Sequence, residues 1–77
     1  MDIFQLQYFL SAAITGNFTM AAAENNISQS SFSKHIMALE NEMGVKLFYR
    51  NRKSISLTPA GERLQKHAYA ILGPTKA

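Results

Sequence analysis

The stretch NFTMAAAENNISQSSFSKHIMALENEMG, residues 17–44, contains the pattern that decides the fold of this chain. Its first part predicts a short helix with Thr19 as the N-cap and Phe18 just outside the helix. The following Asn25 and Asn26 tolerate a left-handed backbone better than most residues, so they predict a tight turn. A turn this short does not let the next helix run antiparallel beside the first. The pair therefore has the layout of a helix-turn-helix.

The second helix of this stretch is predicted to begin after Ser28, whose hydroxyl can cap it, and to end at Gly44. With about 100° of rotation per residue, one face of this helix collects apolar side chains and is expected to be buried. These side chains are Phe32, Ile36, Leu39 and Met43. The opposite face carries Ser30, Ser33, Lys34, Met37 and Asn41, with Gln29 and His35 at its flanks.

The polar face of the second helix has two interpretations. Short hydroxyls beside one long cation, near a helix N-terminus, suit insertion into a DNA major groove, because they allow close approach to base edges. Any soluble amphipathic helix also carries a polar outer face. This helix alone leaves both interpretations open, and the rest of the chain has to decide between them.

Size and composition restrict the classes of function. The 77 residues are enough for one small domain, and an apolar fraction of 47% supports one modest core. The sequence has no cysteine, which rules out a disulfide or a cysteine-ligated zinc site and fits a reducing compartment. His35 and His67 lie far apart without partners at ligand spacing, so we expect no metal and no cofactor. No nucleophile, base and orienting acid can be paired by spacing, which argues against an enzyme.

The start of the chain, MDIFQLQYFL, predicts a first helix of the core. Asp2 and Gln5 are placed like the two members of a capping box, and Gly16 is expected to end the helix. Apolar residues follow a helical period at Ile3, Leu6, Phe9, Leu10 and Ala13. Glutamines interrupt the apolar run and no basic region precedes it. We therefore expect neither a signal peptide nor a membrane span, and a cytoplasmic domain.

Positive charge is concentrated in one segment, although the net charge of the chain is only +3. Between Met43 and Gly61 there is no acidic residue, and the cations are Lys46, Arg50, Arg52 and Lys53. Residues 47–49 and 55–57 are compatible with strands, and the polar residues 51–54 between them predict a turn. Beside a recognition-type helix, this hairpin is expected to act as a wing that binds phosphate. A solvated hairpin with no ligand could carry similar charges.

A last helix is predicted from Thr58 and Pro59, as N-cap and first-turn residue, to Gly73-Pro74. Its apolar stripe consists of Ala60, Leu64, Ala68, Ile71 and Leu72. A short chain leaves little body for this helix to cover, so we expect the stripe to pack against the same helix of a second copy. The residues assigned to this homodimer contact are Leu64, Ala68, Ile71 and Leu72. The alternative is that the helix lies against its own domain.

The order of these elements and three sequence blocks resemble the N-terminal DNA-binding domain of LysR-type transcriptional regulators, a family of winged helix-turn-helix proteins. The blocks are LQYFLSAAITGNFTMAA, SQSSFSKHIMALENEMGVKLFYR and LTPAG. The resemblance implies a mainly α fold, in which a three-helix core and a short β-hairpin wing are followed by a linker or dimerisation helix. It divides the chain into a DNA-binding domain over 1–58 and a linker helix with a tail over 59–77. The helix-turn-helix is expected over about 18–37 and the wing over about 46–57.

The resemblance also implies a function and a set of contacts. It places Gln29, Ser30, Ser33 and Lys34 on positions that contact DNA, and Lys53 on the wing's minor-groove position. The full predicted DNA-binding set is Thr19, Gln29, Ser30, Ser33, Lys34, Met37, Arg50, Arg52 and Lys53. We expect a dimer to bind operator or promoter DNA, with recognition helices in the major groove and wings on the adjacent backbone or minor groove. Family members usually continue into a C-terminal effector domain that controls a higher oligomer, and we expect this chain to be a fragment without it.

Four positions depart from the family pattern. Lys34 and Lys53 stand where arginine is frequent, Ser30 where proline is frequent, and Met20 where a basic residue is frequent. Lysine lacks the fork of arginine, so weaker discrimination of a single base is expected at Lys34 and a weaker narrow-groove contact at Lys53. Two alternatives remain: another winged-helix regulator family, and a protein-interaction module in which the face of Ser30, Lys34 and Met37 docks a partner.

Overall fold

The computed structural model describes residues 1–51 and 54–73. Within these residues the chain forms four α-helices and one two-stranded antiparallel sheet. In chain order the elements are α1 (Ile3–Thr15), α2 (Phe18–Glu24), α3 (Gln29–Met43), β1 (Phe48–Arg50), β2 (Ile55–Leu57) and α4 (Pro59–Leu72). This is the mainly helical architecture with a hairpin wing that the sequence predicts.

The start of α1 and the ends of α1, α2 and α3 lie where the sequence predicts them. The Asp2 carboxylate accepts a hydrogen bond from the Gln5 amide at 2.8 Å, and the Gln5 side chain completes the capping box. Gly16 and Gly44 adopt φ values of 69° and 74° at the ends of α1 and α3. Asn26 has a φ of 60° in the turn between α2 and α3. The helix-turn-helix geometry therefore follows from residues that accept a left-handed backbone.

The N-cap of α2 corrects the sequence prediction. Asn17 caps this helix instead of Thr19, since its Oδ1 accepts a hydrogen bond from the Met20 amide at 3.0 Å. The helix therefore begins at Phe18, which the prediction placed outside it. Asparagine is a stronger N-cap than threonine. This start also brings the Phe18 ring to 5.7 Å from the ring of Phe32, between centroids, in the core.

The core lies between α1, α2 and α3 and is closed by the hairpin and α4. Its buried side chains are Leu6, Phe9, Leu10, Ala12, Ala21, Ala22, Phe32, Ile36, Leu39, Leu47, Phe48, Leu64 and Ala68. The small side chains of Ala21 and Ala22 let the short α2 lie close to its neighbours. Ile3, which follows the helical period of α1, is exposed because it lies in the first turn of that helix.

At two residues of α3 the burial differs from what the helical period alone would give. Met43, which was predicted to be buried, is 40% exposed, because it lies in the last turn of the helix, at the edge of the core. Glu40 is only 3% exposed, although the helical period places it between Gln29 and Ser33, near the polar face. The segment that follows α3 folds back over Glu40 and contacts it. The burial of Glu40 is therefore decided by the segment that covers it and not by its position in the helical period of α3.

The apolar stripe of α4 is divided between two environments. Leu64 is 4% exposed and Ala68 is fully buried, because α4 packs on α1 and β2. This corrects the prediction that Leu64 and Ala68 contact a second copy. Leu72 is partly buried against the core, whereas Ile71 is 66% exposed. Gly73 ends the helix as predicted, and Pro74 lies outside the described residues.

Gly61 allows α4 to start directly against the hairpin. The Thr58 hydroxyl caps α4 by accepting from the Gly61 amide at 3.0 Å, and it donates to the Lys46 carbonyl oxygen at 2.7 Å. A Cβ at Gly61 would overlap the carbonyl oxygen of Leu47 and come within 2.9 Å of a methyl group of Leu57. Even one methyl group at this position would therefore separate α4 from the wing.

The close approach at Gly61 predicts a large loss of stability for Gly61→Ala. We expect the free energy of unfolding to fall by about 3 kcal/mol, the upper end of the usual cost of overpacking, because a backbone oxygen cannot rotate away. Urea unfolding followed by far-ultraviolet circular dichroism measures this change. Gly44→Ala is the matched control, since nothing lies within 4 Å of its added methyl group. It should cost about 1 kcal/mol, from left-handed backbone strain. Equal losses in the two variants would contradict the packing argument.

Candidate nucleic-acid interface

The N-terminal half of α3 presents a compact polar surface. Gln29, Ser30, Lys34 and Met37 are exposed on it, and Ser33 is half-buried. Of these five side chains only Lys34 is charged. The Ser28 hydroxyl caps the helix by accepting from the Ser31 amide at 3.1 Å, which fixes the first turn. The structure thus brings together on one face all of the DNA-contacting residues that the sequence predicts on α3. This surface is called the α3 face below.

A hydrogen bond connects α2 to the α3 face. The Thr19 hydroxyl donates to Oε1 of Gln29 at 2.9 Å. With its oxygen engaged in this way, the Gln29 side chain still has its NH₂ group as a hydrogen-bond donor. Thr19, predicted as a DNA-binding residue, therefore also orients a neighbouring member of the predicted set.

The predicted hairpin is present beside the α3 face. Its strands pair Phe48 with Leu57 and Arg50 with Ile55, and the Asn51 amide donates to the Ser54 carbonyl oxygen at 2.9 Å. The two predicted tip cations, Arg52 and Lys53, lie outside the described residues. An open cleft separates the hairpin from the helix-turn-helix. Its lining includes Thr19, Gln29, Arg50 and Ser54.

Arg50 lies at the base of the wing and is engaged within the domain. Its Nη2 donates to Oε1 of Glu40 at 3.1 Å, and its guanidinium carbon lies 5.3 Å from the centroid of the Phe18 ring. The side chain of Arg50 is 36% exposed, whereas that of Glu40 is 2% exposed. The sequence predicts Arg50 as one of the phosphate-binding cations of the wing. The structure adds an internal carboxylate partner for the charge of Arg50.

The second oxygen of the same carboxylate holds the backbone of the wing. Oε2 of Glu40 accepts from the amides of Leu47 and Phe48 at 2.8 Å and 3.3 Å. On the other strand, the Ile55 amide donates to the Gly16 carbonyl oxygen at 3.1 Å, at the end of α1. The wing is therefore anchored to α3 through Glu40 and to α1 through Gly16.

Sequence reasoning missed Glu40 as a residue of this interface. On a helical wheel it lies at the edge of a polar face, where a carboxylate is ordinarily solvated. The only sequence signal is the absence of acidic residues from the segment that supplies its partners, and the two nearest preceding carboxylates for Arg50 are Glu42 and Glu40, between which spacing does not choose. Recognising that pair requires knowing that the hairpin folds back onto α3.

Groups for metal binding are not gathered in the part of the chain that the structure describes. There, no set of three or more histidine, aspartate or glutamate side chains is arranged to hold a metal ion. His35 is exposed, and its ring centroid lies 5.1 Å from that of Tyr8.

In residues 1–51 and 54–73 no helix is long and apolar enough to cross a membrane. The feature that these residues do present is a polar helix face beside a projecting hairpin.

Known proteins match this chain over nearly its whole length. It is 42% identical over 73 residues to the probable cat1 operon transcriptional activator of Acinetobacter lwoffii, a match that covers 95% of this chain and 24% of the relative. It is 44% identical over 72 residues to the HTH-type transcriptional regulator HdfR of Yersinia pestis (strain Pestoides F), covering 94% of this chain and 25% of the relative. The chain thus spans about a quarter of the length of these curated relatives.

A solved structure shares the fold, and a family profile matches most of the chain. The crystal structure of the CbnR_DBD–DNA complex superposes with a TM-score of 0.90 at 38% identity, covering 94% of this chain and 83% of that chain. The profile described as "Bacterial regulatory helix-turn-helix protein, lysR family" matches residues 3–62, from the start of α1 into the first turn of α4. The chain therefore belongs to the LysR family of bacterial regulatory helix-turn-helix proteins.

Proposed function

We propose that this chain is the DNA-binding domain of a transcriptional regulator and binds double-stranded DNA sequence-specifically. The observation that carries the proposal is the exposed α3 face set beside the hairpin. Support comes from the backbone match to the CbnR_DBD–DNA complex, with a TM-score of 0.90. In helix-turn-helix proteins the second helix enters the major groove, and its N-terminal residues meet the base edges. We assign this role to α3 and assign the adjacent backbone or minor groove to the wing.

The side chains of the α3 face suit different DNA groups. The NH₂ group of Gln29 can donate to a phosphate or to a base acceptor, and the hydroxyls of Ser30 and Ser33 can donate or accept. Lys34 supplies one flexible cationic donor for a guanine edge or a phosphate. Because the side chains of Ser30 and Ser33 are short, the helix backbone can approach the bases closely. In the wing, Arg52 and Lys53 are assigned to phosphate and minor-groove contacts on the basis of the sequence alone.

Met37 is assigned an apolar contact with DNA. It lies one turn after Ser33 on the α3 face, and its side chain is 51% exposed. The apolar group that the major groove offers is the C5-methyl group of thymine. A thioether chain on an otherwise polar recognition surface is therefore suited to a thymine in the binding sequence.

We also propose that the chain acts in the cytoplasm as a homodimer on operator or promoter DNA, within a longer regulator that forms higher oligomers. A two-fold dimer places two α3 helices on one side of a duplex, with half-sites about one or two helical turns apart. The exposed Ile71 in the last turn of α4 supports a contact with a second copy. Leu64 and Ala68 are already buried within the domain, so the contact surface is confined to the C-terminal end of that helix.

Selection from random duplexes tests the proposed function directly. We expect a two-fold-related sequence to be enriched, and its affinity, measured by fluorescence anisotropy, to depend steeply on salt. A dimer that neutralises about six to ten phosphates should lose about 10³-fold to 10⁵-fold in affinity between about 50 and 200 mM salt. Weak, salt-insensitive binding without enrichment would contradict the proposal and favour the protein-interaction alternative.

The division of labour between helix and wing is tested by two alanine variants. Lys34→Ala should reduce the preference for the selected sequence over random DNA by about fivefold per protomer, as expected for one lost contact to a base edge in each half-site. Arg52→Ala should weaken binding to all sequences alike and lower the salt slope by about 0.9 per protomer. Lys66→Ala removes an exposed cation from α4 and is the control for net charge. Equal losses on selected and random DNA in both test variants would show that helix and wing do not have separate roles.

The Met37 contact is tested on DNA in which thymine is replaced by uracil, which lacks only the C5-methyl group. At one position in each half-site this replacement should lower affinity about fourfold per half-site, the effect of leaving roughly one methyl group unburied in each. In Met37→Ala the same replacement should have no effect. Met20→Ala, which shortens an exposed methionine of α2, is the matched control and should keep the wild-type sensitivity. Undiminished sensitivity in Met37→Ala would rule out the contact.

A further inference from the structure

One buried carboxylate joins α3 to the wing. Glu40 belongs to α3, and its observed hydrogen-bond donors are the amides of Leu47 and Phe48 and the guanidinium of Arg50. All three donors belong to the segment that builds the first strand of the wing. The position of the wing relative to the α3 face is therefore set by how this carboxylate is satisfied.

We propose that Arg50 is a positioning residue that fixes the wing through Glu40 and contributes no phosphate contact of its own. This inference rests on the proposed binding of duplex DNA. It separates Arg50 from Arg52 and Lys53, although the sequence groups all three as cations of the wing.

The charge balance of the pair supports this separation. The carboxylate of Glu40 is almost fully buried, and Arg50 is its observed cationic partner. Moving Arg50 to a phosphate would leave a buried carboxylate held by two backbone amides, and an uncompensated buried charge is strongly unfavourable. While the pair is intact its net charge is zero, so it displaces few counterions from DNA. The Phe18 ring further holds the guanidinium in place through a cation–π contact.

The positioning role has a consequence for sequence selection. The α3 face and the wing must meet the duplex together, at neighbouring places along its axis. If the wing moves relative to α3, both surfaces cannot match one sequence at the same time. Losing the Glu40–Arg50 pair therefore reduces discrimination between sequences, while the phosphate contacts made by other cations remain.

Arg50→Met tests the proposal when affinity is measured on the selected and on random duplexes over a series of salt concentrations. We expect the ratio of selected to random affinity to fall at least fivefold, and the salt slope to fall less than in Arg52→Met, because the loss of Arg50 removes no phosphate contact. Arg52→Met is the matched control, the same substitution two positions along the wing, and its slope should fall by about 0.9 per protomer. An Arg50→Met slope that falls like that of Arg52→Met, with equal losses on both DNAs, overturns the proposal.

Glu40→Gln provides a test with the opposite sign. Glutamine keeps an acceptor for the amides of Leu47 and Phe48 but removes the negative charge, so the Arg50 cation is no longer neutralised. Random DNA should then bind more tightly, with a salt slope steeper by up to about 0.9 per protomer, and discrimination should fall. The double variant Glu40→Gln/Arg50→Met should return the slope to the wild-type value. Unchanged slope and discrimination in Glu40→Gln overturns the proposal.

The double variant also covers the case in which Arg50→Met does not fold. Removing both charges together leaves no unpaired ion in the interior, so the double variant is expected to keep its circular dichroism spectrum. Its salt slope decides the question alone: a wild-type slope supports positioning, and a lower slope shows a lost phosphate contact. A wild-type chain that binds no duplex overturns the proposed function and this inference together. If the wild-type chain binds normally but the double variant has a lower salt slope, this inference alone is overturned.

Discussion

The buried carboxylate of Glu40 is the contact on which the arrangement of the two proposed DNA-binding elements depends. A carboxylate removed from water has to be satisfied by donors, and the observed donors are supplied by residues 47–50. The hairpin must therefore fold back over the C-terminal half of α3, in an orientation that brings two amides and a guanidinium to the same group. The α3 face and the wing therefore already have fixed positions relative to each other before any DNA is present. Such preorganisation lowers the entropy lost on binding.

The parts of the fold that sequence reasoning predicted correctly depend on short-range chemistry. Capping by Ser28 and Thr58 involves residues within one helical turn, and the left-handed Asn26 and Gly44 need only their own backbone freedom. The hairpin follows from two short strand-compatible segments around a polar turn. The residues of the α3 face were found for the same reason, because a helical period alone places them together.

The predictions that were wrong concern choices made by tertiary packing. Thr19 and Asn17 can both cap a helix, and Asn17 prevails because a start at Phe18 places an aromatic ring in the core. Leu64 and Ala68 have the spacing of a dimer contact, but the hairpin and α1 offer them a surface within the same domain. Periodicity identifies an apolar stripe without identifying what covers it. In the same way, a carboxylate on a polar face gives no sign that another element will bury it.

The absence of a side chain at Gly61 has a mechanical consequence. Because the first turn of α4 lies directly against the carbonyl oxygen of Leu47, with the Thr58 hydroxyl bonded to both segments, helix and wing have no room to slide past one another. A force applied to the far end of α4 would therefore rotate the domain as one body and leave the positions of the α3 face and the wing relative to each other unchanged. In a symmetric dimer, movement of the two α4 helices would then change the distance and angle between the two α3 faces without changing the shape of either one.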